Sequence, residues 1–270
     1  MHASTFVFMK SSLIIFVSLL LSLPLVAQNQ VDEDGQKQGK WEKKYENGNV
    51  RYQGQFEDDQ AIGTFFYYYE NKVKSSEVTY LSEGKASAKF FHNNGVIMGK
   101  GPYLNQQKDG DWVFFDNQAK KSMTESYVNG VLQGQSQVFY LNGQVSATFS
   151  YTDGRKDGAF KEFFPDGKVK IEGTYQDDTY DGQYVQYYQD AKVLRKGAYK
   201  AAVKDGLWVH YDTDGRIIGQ ELYEKGKLVK EKWEEGHEPA EEKMELEDAD
   251  ILNEQQLQER FLQQGGYIGN

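Results

Sequence analysis

Few residues of this 270-residue chain are of a type that does chemistry. It has no cysteine, and its four histidines, His2, His92, His210 and His237, stand far apart. There is no His-Glu-x-x-His, no Gly-x-Ser-x-Gly and no Gly-x-x-x-x-Gly-Lys-Ser/Thr, so the common metal, nucleophile and phosphate sites are not written here. An acid-base role for His210 needs a positioned partner, and the sequence places none beside it. A carboxylate series, Asp109, Asp157, Asp181 and Asp205, stands directly before a glycine each time. Calcium takes six to eight oxygens at about 2.3 to 2.6 Å from one point, whereas residues two strands apart lie roughly 9.6 Å from each other. These aspartates are expected to accept hydrogen bonds from nearby turn amides. No catalytic residue, metal or cofactor is expected.

The stronger signal is aromatic. Rings make up 14% of the chain, including 19 Tyr, and they fall in columns. With Gly39, Gly63, Ala86, Gly110, Gly134, Gly158, Gly182 and Gly206 as origins, every interval is 24 residues except one of 23. Two residues past the origins stand Trp41, Phe65, Ala88, Trp112, Ser136, Phe160, Tyr184 and Trp208. Seventeen past stand Phe56, Tyr80, Tyr103, Tyr127, Tyr151, Tyr175, Tyr199 and Tyr223. The second column is aromatic throughout and reads as a structural ladder packed on the next unit. The first accepts Ala and Ser beside Trp, an odd tolerance for a close-packed core position. Packing is one reading of it. The other is a partly open partner-binding face of Trp41, Phe65, Trp112, Phe160, Tyr184 and Trp208, which could stack on sugar rings or clamp an extended peptide.

The elements that must position these columns are short strands. Eleven past the origins stand Val50, Ile97, Val145, Val169, Val193 and Ile217, with Lys74 and Lys121 as the exceptions. Positions eleven, thirteen, fifteen and seventeen share parity, so they face one way, while Lys170, Glu172 and Thr174 face the other. Glu-Asn-Gly-Asn (46–49), Leu-Asn-Gly-Gln (141–144) and Pro-Asp-Gly-Lys (165–168) mark hairpin turns. Each 24-residue unit is therefore one hairpin plus a connection. Fixed periods of this length mark repeat arrays, and a hairpin marginal by itself gains its dry face from its neighbours. The expected fold is all-β, an elongated single-layer antiparallel meander of about eight stacked β-hairpins. About 16 strands at roughly 4.8 Å would extend about 75 Å.

Tyr52-Gln53-Gly54-Gln55-Phe56 with Gly63, the run Ile171–Gly182 and the run Lys204–Ile217 resemble the MORN repeat variant of many bacterial proteins, YwqK-type antitoxins among them. The resemblance covers about Lys37 to Trp233. It implies antiparallel hairpin arrays and a binding or scaffold role without shared catalytic residues. An antitoxin-like neutralising role is one implied alternative, and a carbohydrate or cell-wall-binding module using the aromatic face is another reading.

The ends differ in kind. Lys10, the apolar run Leu13–Leu23, Pro24 and the small Ala27 read as a signal peptide over 1–27, followed by a linker (28–36), the array (37–233) and an acidic tail (234–270). The chain is expected to be exported, whether periplasmic, outer-envelope or secreted, with no integral membrane span once the signal is cleaved. Net charge is −10, and from Lys227 onward 5 Lys/Arg face 12 Asp/Glu. Such a chain repels nucleic-acid phosphates. The expected partner is a protein or an envelope polysaccharide. In the tail, Pro239 opens and Gly265-Gly266 closes a partly helical segment, either solvated or laid over the last strand through Leu257, Phe261 and Leu262.

Overall fold

Turn chemistry builds the sheet. The computed structural model describes residues 28–237, so the expectations for 1–27 and for 238–270 lie outside the described residues. At the hairpin Tyr140–Gln144, Gly143 has φ 84° and donates to Tyr140 O at 2.8 Å, while Asn142 Oδ1 accepts from Gln144 N at 3.0 Å. A side chain that bonds its own backbone and a glycine free to take positive φ make this turn without strain. The connections use two successive residues of positive φ, as at Asn129-Gly130 (49° and 81°) and Ala201-Ala202 (48° and 66°). That left-handed pair matches the twist of the flanking strands.

Twenty strands in the described residues form one open antiparallel sheet in chain order; where a bulge splits a strand, as into Gln107–Lys108 and Gly110–Phe115, both pieces pair with the strand before, Ile97–Leu104. No helix interrupts it between residues 28 and 237. The register slips at nearly every origin: Tyr151 faces Lys156, yet Phe149 faces Phe160, so two extra residues bulge around Gly158 with φ 110°. At Ala86 there is no slip between Ser76↔Phe90 and Tyr80↔Ala86, and the turn is carried instead by Glu83 and Gly84 at positive φ. Two bulge residues fewer and one turn residue more, since Leu81 N bonds Lys85 O across Ser82–Gly84 where Glu57 faces Gln60 across two, give the single 23-residue interval.

Neighbouring units are tied along both edges. On the hairpin side Tyr45 donates from its hydroxyl to Tyr68 O (2.7 Å), Tyr69 to Phe91 O (2.8 Å), Tyr140 to Phe163 O (2.6 Å) and Tyr188 to Tyr211 O (2.8 Å). His92 Nε2 lies 3.0 Å from Phe115 O in the same position. On the connecting side Asp109 accepts from Asn129 N, Asp181 from Ala201 N and Asp205 from Lys225 N, at 3.0 to 3.1 Å. These aspartates do bond turn amides, and the amides belong to the following unit. Among the described residues no three His, Cys, Asp or Glu side chains converge as a metal site would require.

Both aromatic columns lie on one face. There the ring of one strand covers a small residue of the strand before it: a Cβ on Gly101 would stand 2.4 Å from the Trp112 ring, and one on Gly197 2.3 Å from the Trp208 ring. Both indoles are 0% exposed. Their Nε1 groups donate to Pro102 O (3.0 Å) and Ala198 O (3.1 Å), and Tyr103 and Tyr199 meet them edge-on at 5.2 and 5.0 Å. Burying the indole with its one donor satisfied secures the apolar gain without stranding a polar group.

The expected partner face is therefore closed. Phe65, Trp112, Phe160, Tyr184 and Trp208 are all buried, and Trp41 is half-buried with Nε1 donating to Gln30 O at 3.2 Å. Ala88 and Ser136 are buried too, because bulk has moved to the adjoining strand: Val78 faces Ala88, and Phe149 faces Ser136. Within the ladder column Tyr103, Tyr127 and Tyr151 are buried, while Phe56, Tyr80, Tyr175, Tyr199 and Tyr223 are half-buried. The opposite face is polar, with Lys161 paired to Glu172 at 2.8 Å and Glu77 held between Lys74 and Lys89 at 3.2 and 2.9 Å.

Candidate functional site

Beside the ring columns runs another row of the same face, formed by positions four and thirteen past each origin. In the middle of the array it is apolar, with Phe90, Phe114, Met123, Val138 and Ala147 all buried. Further along, the same positions hold Glu162, Gln186, Arg195 and His210, none of them fully buried, alternating with the buried Ile171 and Gly219. The register sets them on adjoining strands, with Glu162 and Gln186 both facing Ile171, Gln186 facing Arg195, and Arg195 facing His210. Arg195 Nε donates to Gln186 Oε1 at 2.8 Å. Trp233 lies over His210 with ring centres 4.8 Å apart.

One side of this stripe is anchored in the core. Glu221 Oε2 lies 3.2 Å from His210 Nε2, accepts from Lys204 Nζ at 3.2 Å and from the Tyr223 hydroxyl at 3.2 Å. Burial alone would raise the Glu221 carboxyl; Lys204 and His210 outweigh it and hold the group below the usual carboxylate range. Burial pushes the His210 imidazole down, against the opposing pull of Glu221. Tyr184, next to the stripe, is pushed up to about 12 by burial, so its hydroxyl stays a donor. The stripe thus offers a guanidinium, an amide, an imidazole and a carboxylate fixed on a rigid sheet. Such groups can hydrogen-bond the backbone or side chains of a partner laid across them.

A twin of the anchor lies 96 residues earlier. Lys108 sits 4.8, 5.0 and 4.6 Å from the ring centres of Trp112, Phe114 and Tyr127, and donates to the Tyr127 hydroxyl at 3.3 Å. That hydroxyl donates to Glu125 Oε2 at 2.5 Å. Burial pushes the Lys108 ammonium down to about 8, with Glu125 opposing. Here Phe114 stands where His210 stands in the later copy, and the row beside it is closed. An open groove of about 490 Å³ on the connecting-turn side is lined by Tyr127, Val131, Leu132, Tyr151, Lys156 and Asp178. Asp178 is already engaged there, accepting from Lys156 N at 2.8 Å.

Sequence reading singled out His210 and none of Glu162, Gln186 or Arg195. The signal that finds them is the change of character down one column, from Tyr67, Phe90, Phe114 and Val138 to Glu162, Gln186 and His210.

No curated protein matches this chain significantly in sequence. Among solved structures, the crystal structure of TarM shares 14% identity over 35% of this chain and 18% of its own, with a TM-score of 0.26. A porin-like protein from Bacteroides uniformis shares 8% identity over 63% of this chain and 86% of its own, with a TM-score of 0.18. Neither score amounts to a shared fold, and the chain spans less than a fifth of TarM. The model of the MORN repeat variant matches at residues 37–58, 86–105 and 156–177. In those three segments, with the hairpin geometry described above, this chain carries MORN repeat variant units.

Proposed function

We propose that the chain is an exported, non-enzymatic binding module that holds a protein partner at the cell envelope, and that Glu162, Gln186, Arg195 and His210 meet that partner. The observation carrying this reading is the appearance of four half-buried polar side chains, Glu162, Gln186, Arg195 and His210, in a row that is buried and apolar in the middle of the array, with only Ile171 and Gly219 still buried between them. A row that served only packing would gain nothing from an arginine and a glutamate on its dry face. Export rests on the leader read over residues 1–27. The absence of a catalytic motif in the sequence supports the non-enzymatic part.

The test is crosslinking in cells that express the whole 270-residue sequence, leader included, followed by identification of the linked peptides. Capture should be lost in Gln186→Ala/Arg195→Ala and kept in Lys161→Ala on the opposite face. Crosslinks confined to the Lys161 face, or capture indifferent to the double change, would overturn the reading. Saturable binding to an envelope polysaccharide, lost in the same double variant, would make the partner a glycan. If the captured protein were a toxin, the same contact would be that of an antitoxin.

A further inference from the structure

The two ends of the array are finished differently. At the first end the outward edge of strand Lys37–Lys44 is covered by the residues just before it. Gln30 and Val31 pair with Gln38 and Lys37. Asn29 donates from its backbone N to Lys40 O (2.9 Å) and from Nδ2 to Glu42 O (3.0 Å), and its Oδ1 accepts from Glu42 N (2.8 Å).

At the other end, among the described residues, no strand pairs with the outward edge of Lys227–Trp233. Glu234 N donates inward to Ile218 O at 2.9 Å. Antiparallel strands alternate, so the amides of Glu231 and Trp233 point outward. Leu228 and Val229 are 40% and 52% exposed, and Lys227, Lys230 and Lys232 leave Glu231 as the strand's one acid. A bare edge of this kind is a template for another strand.

We propose that this chain's own segment 238–270 covers that edge, with its acids against Lys230 and Lys232. Three observations support the assignment. The strand ends at Trp233, and Glu234–His237 form a turn, His237 N donating to Glu234 O at 3.0 Å, so the segment starts beside the edge. It is 33 residues long (270 − 237), whereas a seven-residue strand spans only about 23 Å. It carries nine Asp/Glu against two Lys/Arg, opposite in sign to the strand. A second copy of the chain is the rival occupant, and a lysine-rich edge repels itself.

The experiment is residue-resolved amide hydrogen exchange on the chain from Gln28 to Asn270. It is compared with the same chain ending at His237 and with the full-length Lys230→Glu/Lys232→Glu variant. The outward amides of Glu231 and Trp233 should exchange roughly tenfold or more slowly in the uncut chain. The inward amides of Lys230 and Lys232 should stay protected in all three, showing that the strand itself is still paired. Charge reversal and added salt should both erode the outward protection. Equal exchange at Glu231 and Trp233 in all three proteins overturns the proposal. Protection that grows with protein concentration, together with a dimer in light scattering, overturns it in favour of a second copy.

Discussion

The units around Trp112 and Trp208 share a frame and differ in use. Each sets a lysine over the indole, a glutamate on the adjoining strand and a tyrosine beyond it: Lys108, Trp112, Glu125 and Tyr127 in one, Lys204, Trp208, Glu221 and Tyr223 in the other. In the first, the next row outward is Phe114 and Met123, both buried. In the second the same two places hold His210 and Gly219, and Arg195 faces His210 where Gly99 faces Phe114 in the first. The sheet, turns and indole packing tolerate this exchange because they are set by other columns. A repeat array can thus change a stretch of its core row from apolar to polar by altering side chains in a single row, which is the change the proposed partner contact uses.

The largest expected effect separates the two indoles. Trp112→Ala should destabilise the array by about 3–5 kcal/mol, read by denaturant unfolding, because Phe90, Phe114 and Tyr103 all pack on that ring. Trp208→Ala should cost less, with the loss in hydrogen exchange confined to the units after Tyr184. Equal global losses would show that the two regions do not differ in packing.

Next come the glycines beneath the rings. Gly101→Ala and Gly197→Ala place a methyl 2.4 and 2.3 Å from the indoles, and each should lower stability by about 1–3 kcal/mol, as overpacking does. Near-equal values would confirm that the frame is common to both regions.

The third effect is one of pH. Lys108 titrates at about 8 in the fold against an ordinary 10.5, so between those values the unfolded chain holds a proton that the folded chain has released. Stability from this group therefore rises with pH, by on the order of 2 kcal/mol between pH 8 and 10. Lys108→Met should flatten that rise in denaturation measured across the range.

The smallest change in stability should come from His210→Phe, which copies Phe114 into the later unit. A half-buried swap of similar volume should move stability by less than about 1 kcal/mol while reducing partner capture. Unchanged capture would remove His210 from the contact.

Much of the architecture was legible because turn residues act locally. The Asn-Gly and Asp-Gly pairs and the columns of Val, Ile and Tyr report strand parity without any knowledge of neighbours. Sequence alone left the Trp column between packing and a partly open face because its exceptions depend on register. Ala88 is intelligible only beside Val78 and Ser136 only beside Phe149, and those partners lie on other strands. The polar stripe escaped for a related reason. Glu162, Gln186 and Arg195 look like ordinary solvent-facing residues until the sheet puts them in a row that is dry elsewhere.

The tyrosine hydroxyls on the hairpin side each reach the unit immediately following and stop there. A chain tied only link to link has no preferred total length. Duplication or deletion of a whole unit would leave every remaining tie of this kind intact, so the array can change length in steps of one unit without disturbing the edge.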